Sequence, residues 1–369
     1  MGTYLAIMTP EAPYTFSTDQ KSKYANAKDG STGKESYYIT SNLFPEQTTL
    51  WGMMRLLLLE QAGKVKSDFN YDGDELEKIK NLIGEESFKF ESPKEQDFGK
   101  LKSISPVFLC ETGKGGEIQY IVKNPMCNTS KECFEALAME KTDVCTDFGT
   151  ISMPVEFDAK EGAAGGYVNL HANKCYSDDD LFISIVQAGN QKNENGKLKK
   201  KDRNDGAFFR RVRYMLKNEG TTVRSFGFFV DVEDDVKLSS DLVTVGAGKN
   251  VFSIRFEKKE KGEDLTEQLK EWGKTEKNRW GYALSDIVVR GLPEYTDFTI
   301  VSMRTMRNLE TKSYREKHSY HERFSRRKDR ILLIERGSVF FGDSFKPAED
   351  KNLEKLGYNQ IIPIGGEDK

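Results

Sequence analysis

The sequence predicts an α+β fold in two halves, with antiparallel sheets covered by helices on one side. Three observations lead there. The chain has 369 residues, more than a single core usually holds. Short β-type and α-type runs are mixed along its whole length. Finally, Tyr37–Arg55 joins a strand, a Phe-Pro turn and an apolar helix, which packs most simply against a sheet. We place the division at residues 1–180 and 181–369, the second span opening with a basic hairpin over 187–206.

Residues 1–9 predict a strand, and 17–36, rich in Ser, Lys, Asp and Gly, a long polar loop. Pro45 excludes a continuous helix through the turn that follows. Thr48 or Thr49 is placed to cap the next helix, whose free amides offer an anion site with Arg55 one turn further in. Asp74–Ile83 has helical spacing, and Lys100–Leu109 and Ile118–Val122 predict strands. Residues 124–180 predict short helices and loops, with a flexible joint at Glu161–Gly166. Further strands follow at Phe182–Gln187, Gly206–Leu216, Ser225–Val232 and Val251–Glu257, then a polar helix at Leu265–Lys274. Ile287–Val289, Phe298–Met303, Ile331–Phe341 and Gly357–Ile364 complete the strand pattern.

Composition narrows the function classes. Hydrophobic residues make up 37% and charged residues 31%, the balance of a polar globular protein. No apolar run reaches membrane-spanning length, and the first residues carry no signal-peptide pattern, so no membrane partner is expected. Five cysteines without a dense framework point to a reducing, cytoplasmic setting. Cys127, Cys133 and Cys145 form no C-x-x-C pair and have no nearby histidine, so we expect no metal and no cofactor. The net charge of −3 hides a segregation. Residues 192–217 hold ten Lys or Arg against three acids, and 304–330 hold ten against four. Two basic tracts on an otherwise acidic chain suit a protein that meets a polyanion on one face. The other reading is of two solvated loops.

Several motif lookalikes fail on spacing. Gly246–Asn250 resembles the end of a phosphate-binding loop, but Val243 and Asn250 stand where a glycine and a hydroxyl are needed. A glycine turn carrying Lys249 can still bring backbone amides to a phosphate, or simply close a hairpin. Asp68–Gly73 matches half of a calcium loop, yet its twelfth position is Ile79. The three histidines are His171, His318 and His321, and the last two sit among arginines without acidic partners. Such a pair can take and give protons in RNA cleavage, or contact phosphates. The stronger signal is Lys197, Lys199, Lys200, Lys201 and Arg203, followed by Phe208, Arg210, Arg211 and Arg213. Cations there neutralise phosphates while aromatic rings stack on bases. At strand spacing Phe208, Arg210 and Val212 share one face and Phe209, Arg211 and Arg213 the other.

Four pieces, in order, resemble the RAMP superfamily of CRISPR effector proteins, and most closely the foot subunit of type III-B (Cmr) complexes. They are Ser41–Arg55, the basic excursion running into Gly206–Arg210, the turn and strand Val245–Ile254, and Glu335–Phe341 with the closing Gly357–Ile364. The resemblance implies two ferredoxin-like, RRM-related halves with inserted loops. It implies a noncatalytic RNA-binding protein of antiviral defence that holds the 5′ tag of the guide RNA. Its implied protein partners are a large cyclase/polymerase-like subunit and a backbone RAMP subunit. Gln187–Gly206 corresponds to the thumb hairpin that kinks the guide. The expected RNA contacts are Thr48, Thr49, Arg55, the basic residues and Phe208 named above, Gly246, Gly248, Lys249, Arg255, Arg336 and Ser338. The family's glycine turn often reads Gly-Gly followed by Glu and Arg, whereas this chain has Gly-Ala-Gly-Lys. The rival reading is a RAMP endoribonuclease that matures precursor guide RNA, with His318 and His321 as acid and base.

Overall fold

The computed structural model describes residues 1–24, 36–84, 88–90, 92, 94–137, 141–154, 165–190, 208–246, 248–260, 265–273, 280–289, 298–307, 309–311, 324–326, 330–342 and 350–365. Strand β1 (Gly2–Pro10) is the axis of the molecule. Leu5 and Ile7 face one side and Ala6 and Met8 the other, and all four are buried, so the sheet is covered on both faces. It lies between β13 (Val223–Val232) and β15 (Asn250–Lys259), antiparallel to both. β4 (Leu101–Ile104) and β5 (Phe108–Thr112) pair with the far edge of β13, and β14 (Asp241–Val245) with that of β15. β6 (Ile118–Lys123), β9 (Tyr167–Asn169) and β10 (Lys174–Tyr176) extend the sheet beyond β5.

The spatial order β5–β13–β1–β15, with helix α1 (Gln47–Gln61) after β1, is the ferredoxin-like arrangement. Between β13 and β15, where a second helix would fall, the described residues hold β14 instead. The same order recurs near the C-terminus. There β18 (Phe298–Ile300), β23 (Val339–Phe341), β16 (Trp280–Ala283) and β24 (Ile361–Ile364) form one antiparallel sheet. This half carries α5 (Lys351–Lys355) before its last strand, and β17 (Ile287–Val288) after its first. The fold is therefore α+β with two ferredoxin-like halves, as the sequence predicts. Strands from both sides of residue 180 share the first sheet, because β1 is hydrogen-bonded to β13 and β15.

The two sheets pack through one core. Leu5, Ile7, Phe108 and Phe229 from the first meet Trp280, Tyr282, Val339, Phe341 and Ile364 from the second, with Leu265 and Leu269 of α4 (Leu265–Gly273) alongside. Gly227 in β13 lies under this contact. A Cβ there would come within 2.4 Å of Cys110 Sγ and 2.7 Å of the Phe108 ring. The opposite face of the first sheet carries α1 and α2 (Gly73–Ile83). Because α1 buries Leu50, Trp51, Met53, Met54 and Leu57–Leu59, it is apolar nearly all round. Trp51 meets Phe98 edge to face at 4.8 Å, and Leu353, Leu356 and Tyr358 from the α5 region join the same core.

The remaining strands are additions to this frame. β2 (Phe16–Tyr24), β3 (Ser36–Asn42), β11 (Phe182–Asn190) and β12 (Phe208–Leu216) form a separate sheet, ordered β11–β12–β3–β2. Among the described residues, β7 (Lys141–Thr146) and β8 (Gly149–Pro154) pair only with each other, and β20 (Leu309–Thr311) only with β21 (Phe324–Arg326). β19 (Met303–Met306) and β17 flank β22 (Ile331–Ile334). Three sequence expectations change here. The polar stretch 17–24 is strand, because sheet pairing to β3 overrides its composition. Within 124–180 the described residues hold four strands and only the short helix α3 (Asp178–Leu181). Ile331–Phe341 is two strands in two sheets, since Gly337, at φ 91°, turns the chain between them.

Candidate nucleic-acid interface

The candidate surface begins at the base of the β11–β12 hairpin. β11 and β12 pair antiparallel from Phe182↔Leu216 to Asn190↔Phe208. Buried Arg224 clamps the two ends of the pair. Its Nη1 donates to the carbonyls of Asp180 (3.1 Å) and Lys217 (2.6 Å), and its Nη2 to Glu111 Oε1 (3.0 Å). Glu111 is in turn held by Tyr176 and Asn169. Ser177 and Asp180 form a capping box on α3 that fixes the entry into β11.

From that base the side chains alternate. Val212 and Leu216 are buried, while Arg211 and Arg213 are half-buried on the opposite face and Arg210 is exposed beyond the core. Arg213 Nη1 lies 3.4 Å from Gln187 Oε1 across the strand pair. Phe208 lies in β12; Lys197, Lys199, Lys200, Lys201 and Arg203 fall outside the described residues, as do His318 and His321.

A run of hydrogen bonds ties this hairpin to the glycine turn. Tyr14 and Tyr214 exchange both backbone bonds, at 2.8 and 2.9 Å, and Thr15 Oγ1 donates to the Val212 carbonyl. Thr15 is then bound by buried Asn250, which accepts from its amide (2.9 Å) and donates to its carbonyl (2.9 Å) and to that of Val245 (3.0 Å). Asn250 thus closes the turn Gly246–Lys249 from inside. Gly246, at φ 72°, and Lys249, at φ 48°, take left-handed backbone, and Gly246, Gly248 and Lys249 are exposed. A Cβ on Gly246 would sit 3.8 Å from Thr49 Cγ2 and 3.9 Å from Phe16. The structure therefore links Thr49, the glycine turn and the backbone of β12 through Thr15 and Asn250, from distant stretches of sequence.

Several other expected contacts take part in the packing and pairing of the fold itself. The helix start at Pro45–Thr49 is docked inside the protein rather than open to an anion. Glu46 is the N-cap residue, and its carboxylate accepts two bonds from Arg304, at 2.5 and 2.8 Å. Gln47 donates to the carbonyls of Ser105 (2.9 Å) and Leu356 (2.8 Å) and accepts from the Val107 amide (3.1 Å). Its Nε2 would lie 2.3 Å from a Cβ on Gly357, whose φ is 80°. Thr48 and Thr49 therefore do not cap the helix. Arg55 is buried within α1, and Ser338 is 0% exposed, its hydroxyl accepting from the Ser302 amide. Arg336 donates through Nη1 to the Val107 carbonyl (2.9 Å) and through its amide to Asp286 (2.9 Å), and its guanidinium covers Phe44. Arg255 projects from the face of β15 shared with Ile7 and pairs with Glu257.

Glu46, Asp286, Arg304 and Arg336 form one network between the halves. Burial pushes the Asp286 carboxyl up, but the guanidiniums of Arg336 and Arg304 outweigh it and hold the group at about 2. Sequence reading missed this network, as it missed Arg224, Thr15 and Asn250. Glu46 and Arg336 lay inside the singled-out motifs, so a signal existed; the pairing did not show, because Glu46 and Arg304 are 258 residues apart and Asp286 lay in no motif.

These features define a two-half ferredoxin-like protein with a basic hairpin braced against a glycine turn. No protein family matches the chain, and no curated protein does. Among solved structures it is similar to a chain of the type III-B Cmr-beta complex bound to cognate target RNA, determined by cryo-EM. Identity is 12%, covering 97% of this chain and 96% of that one, with a TM-score of 0.47. A chain of the same complex bound to cognate target RNA and AMPPnP aligns at 12% identity over 97% and 95%, with a TM-score of 0.46.

Proposed function

We propose that this protein is a noncatalytic, RNA-binding subunit of a type III-B CRISPR effector. In this reading it holds the 5′ tag of the guide RNA and bridges the large cyclase/polymerase-like subunit to the backbone RAMP subunits. Arg210, Arg211 and Arg213 on β12, with the Lys249 side chain and the amides of Gly246 and Gly248, contact the phosphates. One observation carries the reading. The hydrogen-bonded run Val212–Thr15–Asn250–Val245 fixes an arginine-bearing strand beside an exposed, left-handed glycine turn. That is a rigid cationic seat for a backbone of phosphates. The sequence motifs Ser41–Arg55 and Val245–Ile254 meet at this seat, which supports their common resemblance.

The test is binding of guide RNA with and without its 5′ tag, at matched physiological salt, by this chain co-expressed with its neighbouring large subunit. Tighter binding of tagged RNA without cleavage is expected. Equal binding of the two RNAs contradicts tag recognition, and cleavage of precursor RNA contradicts a noncatalytic role.

A further inference from the structure

The β7–β8 hairpin stands apart from the surface described so far. Its six-residue strands pair with each other from Lys141↔Pro154 to Thr146↔Gly149 and with no other strand among the described residues. The register sorts its side chains into two unlike faces. Thr142, Val144, Ile151 and Met153 share one; Asp143, Cys145, Thr150 and Ser152 share the other, where the Ser152 hydroxyl donates to Asp143. The apolar face lies open: Val144 is 40% exposed, Ile151 51% and Met153 49%. At the tip Phe148 is 100% exposed.

The turn is built to present that ring. Thr146 Oγ1 donates to the Gly149 carbonyl (2.7 Å) and accepts from the Phe148 amide (3.2 Å). Gly149 takes the positive φ, at 120°, so Phe148 is spared it. An isolated two-stranded hairpin is marginal in water, and a one-sided apolar hairpin gains its stability from what covers that side.

The charge of the hairpin selects the occupant. Residues 141–154 hold Lys141 against Asp143 and Asp147, and exposed Asp147 adjoins Phe148. A base-stacking aromatic works within a cationic groove, which these carboxylates oppose. We propose that β7–β8 is a docking arm that seats Phe148, Ile151 and Met153 in an apolar groove of another protein subunit, with a cation at the groove mouth facing Asp147. This rests on the reading that the chain works within a multi-subunit effector.

The test co-expresses the full chain with the other subunits of its effector and guide RNA, and purifies the complex through a tag on another subunit. Phe148→Asp combined with Ile151→Asp is compared with wild type and with Asp143→Asn on the polar face. The arm lies outside both cores, so the unfolding midpoint of the double variant should match wild type. The proposal expects at least tenfold less double variant in the complex, normal incorporation of Asp143→Asn, and unchanged guide-RNA affinity of the chain itself. Equal incorporation of the double variant overturns the arm while leaving the proposed function standing. A matching loss of RNA affinity assigns the hairpin to RNA and overturns it too. Self-association of wild type, lost in the double variant, assigns the groove to a second copy and likewise overturns it. Failure of wild type to join the complex overturns both readings.

Discussion

The two ferredoxin-like halves share a strand order but not a use. The first, from β1 to β15, keeps the helix after its first strand and accepts long additions between its frame strands. The second, from β16 to β24, keeps instead the short helix before its last strand, α5. All of the candidate cationic seat belongs to the first half: β12, the Gly246–Lys249 turn and Thr49. The second supplies Asp286, Arg304, Arg336 and Leu356, which grip the start of α1 and the β4–β5 turn. In the first half Arg210 and Lys249 are exposed, whereas Arg304 and Arg336 of the second hold the first in place.

The contrast is sharpest at Asp286. Asp286→Ala leaves Arg304 and Arg336 without their shared buried carboxylate and should cost about 3–5 kcal/mol in urea unfolding. Arg224→Ala should cost a similar or slightly smaller amount, about 3 kcal/mol, because it strands Glu111 and frees both ends of the hairpin. If either variant unfolds at the wild-type midpoint, the corresponding brace is not structural.

Acid should act on the dock between the halves in a defined window. Asp286 has a folded pKa depressed from 3.8 to about 2, so its contribution is complete above the unfolded value and is lost as pH falls through the folded one. Stability should therefore drop between about pH 4 and pH 2, by on the order of 2 kcal/mol from this group. Asp286→Asn should lack that part of the drop; a superimposable acid profile removes Asp286 from the account.

The smallest expected effect separates the sheet face of Arg255 from the seat. Arg255→Ala loses an exposed pair with Glu257, worth roughly 0–1 kcal/mol. Its salt dependence of RNA binding should match wild type. A slope reduced as much as in Arg213→Ala would bring Arg255 back into the interface.

The sequence made the frame largely legible, because frame strands such as Leu5–Met8 and Phe226–Val230 are apolar on both faces and stand out in any polar chain. It misled where pairing rather than composition makes the strand. β2 runs through the polar segment Ser17–Lys21, and its ladder to β3 on either side of that segment fixes it as a strand. The candidate site was half legible. Arg210, Arg211, Arg213 and the glycine turn were visible as charge and backbone chemistry. Arg336 and Ser338 looked like contacts because a motif contained them, yet one is locked on Asp286 and the other has no exposed surface. Burial and long-range pairing are the two quantities a linear reading lacks. Asn250 shows both: as a missing hydroxyl it weakened a phosphate-loop match, whereas in the fold it is the bolt that joins the turn to Thr15.

The most direct measurement is the salt dependence of guide-RNA binding by wild type and by Arg211→Ala/Arg213→Ala/Lys249→Ala. If these three cations meet phosphates, the slope of log affinity against log salt should fall by about 2, at roughly 0.7 per contact with single-stranded RNA. Parallel slopes, with the variant folded as wild type, would contradict the cationic seat.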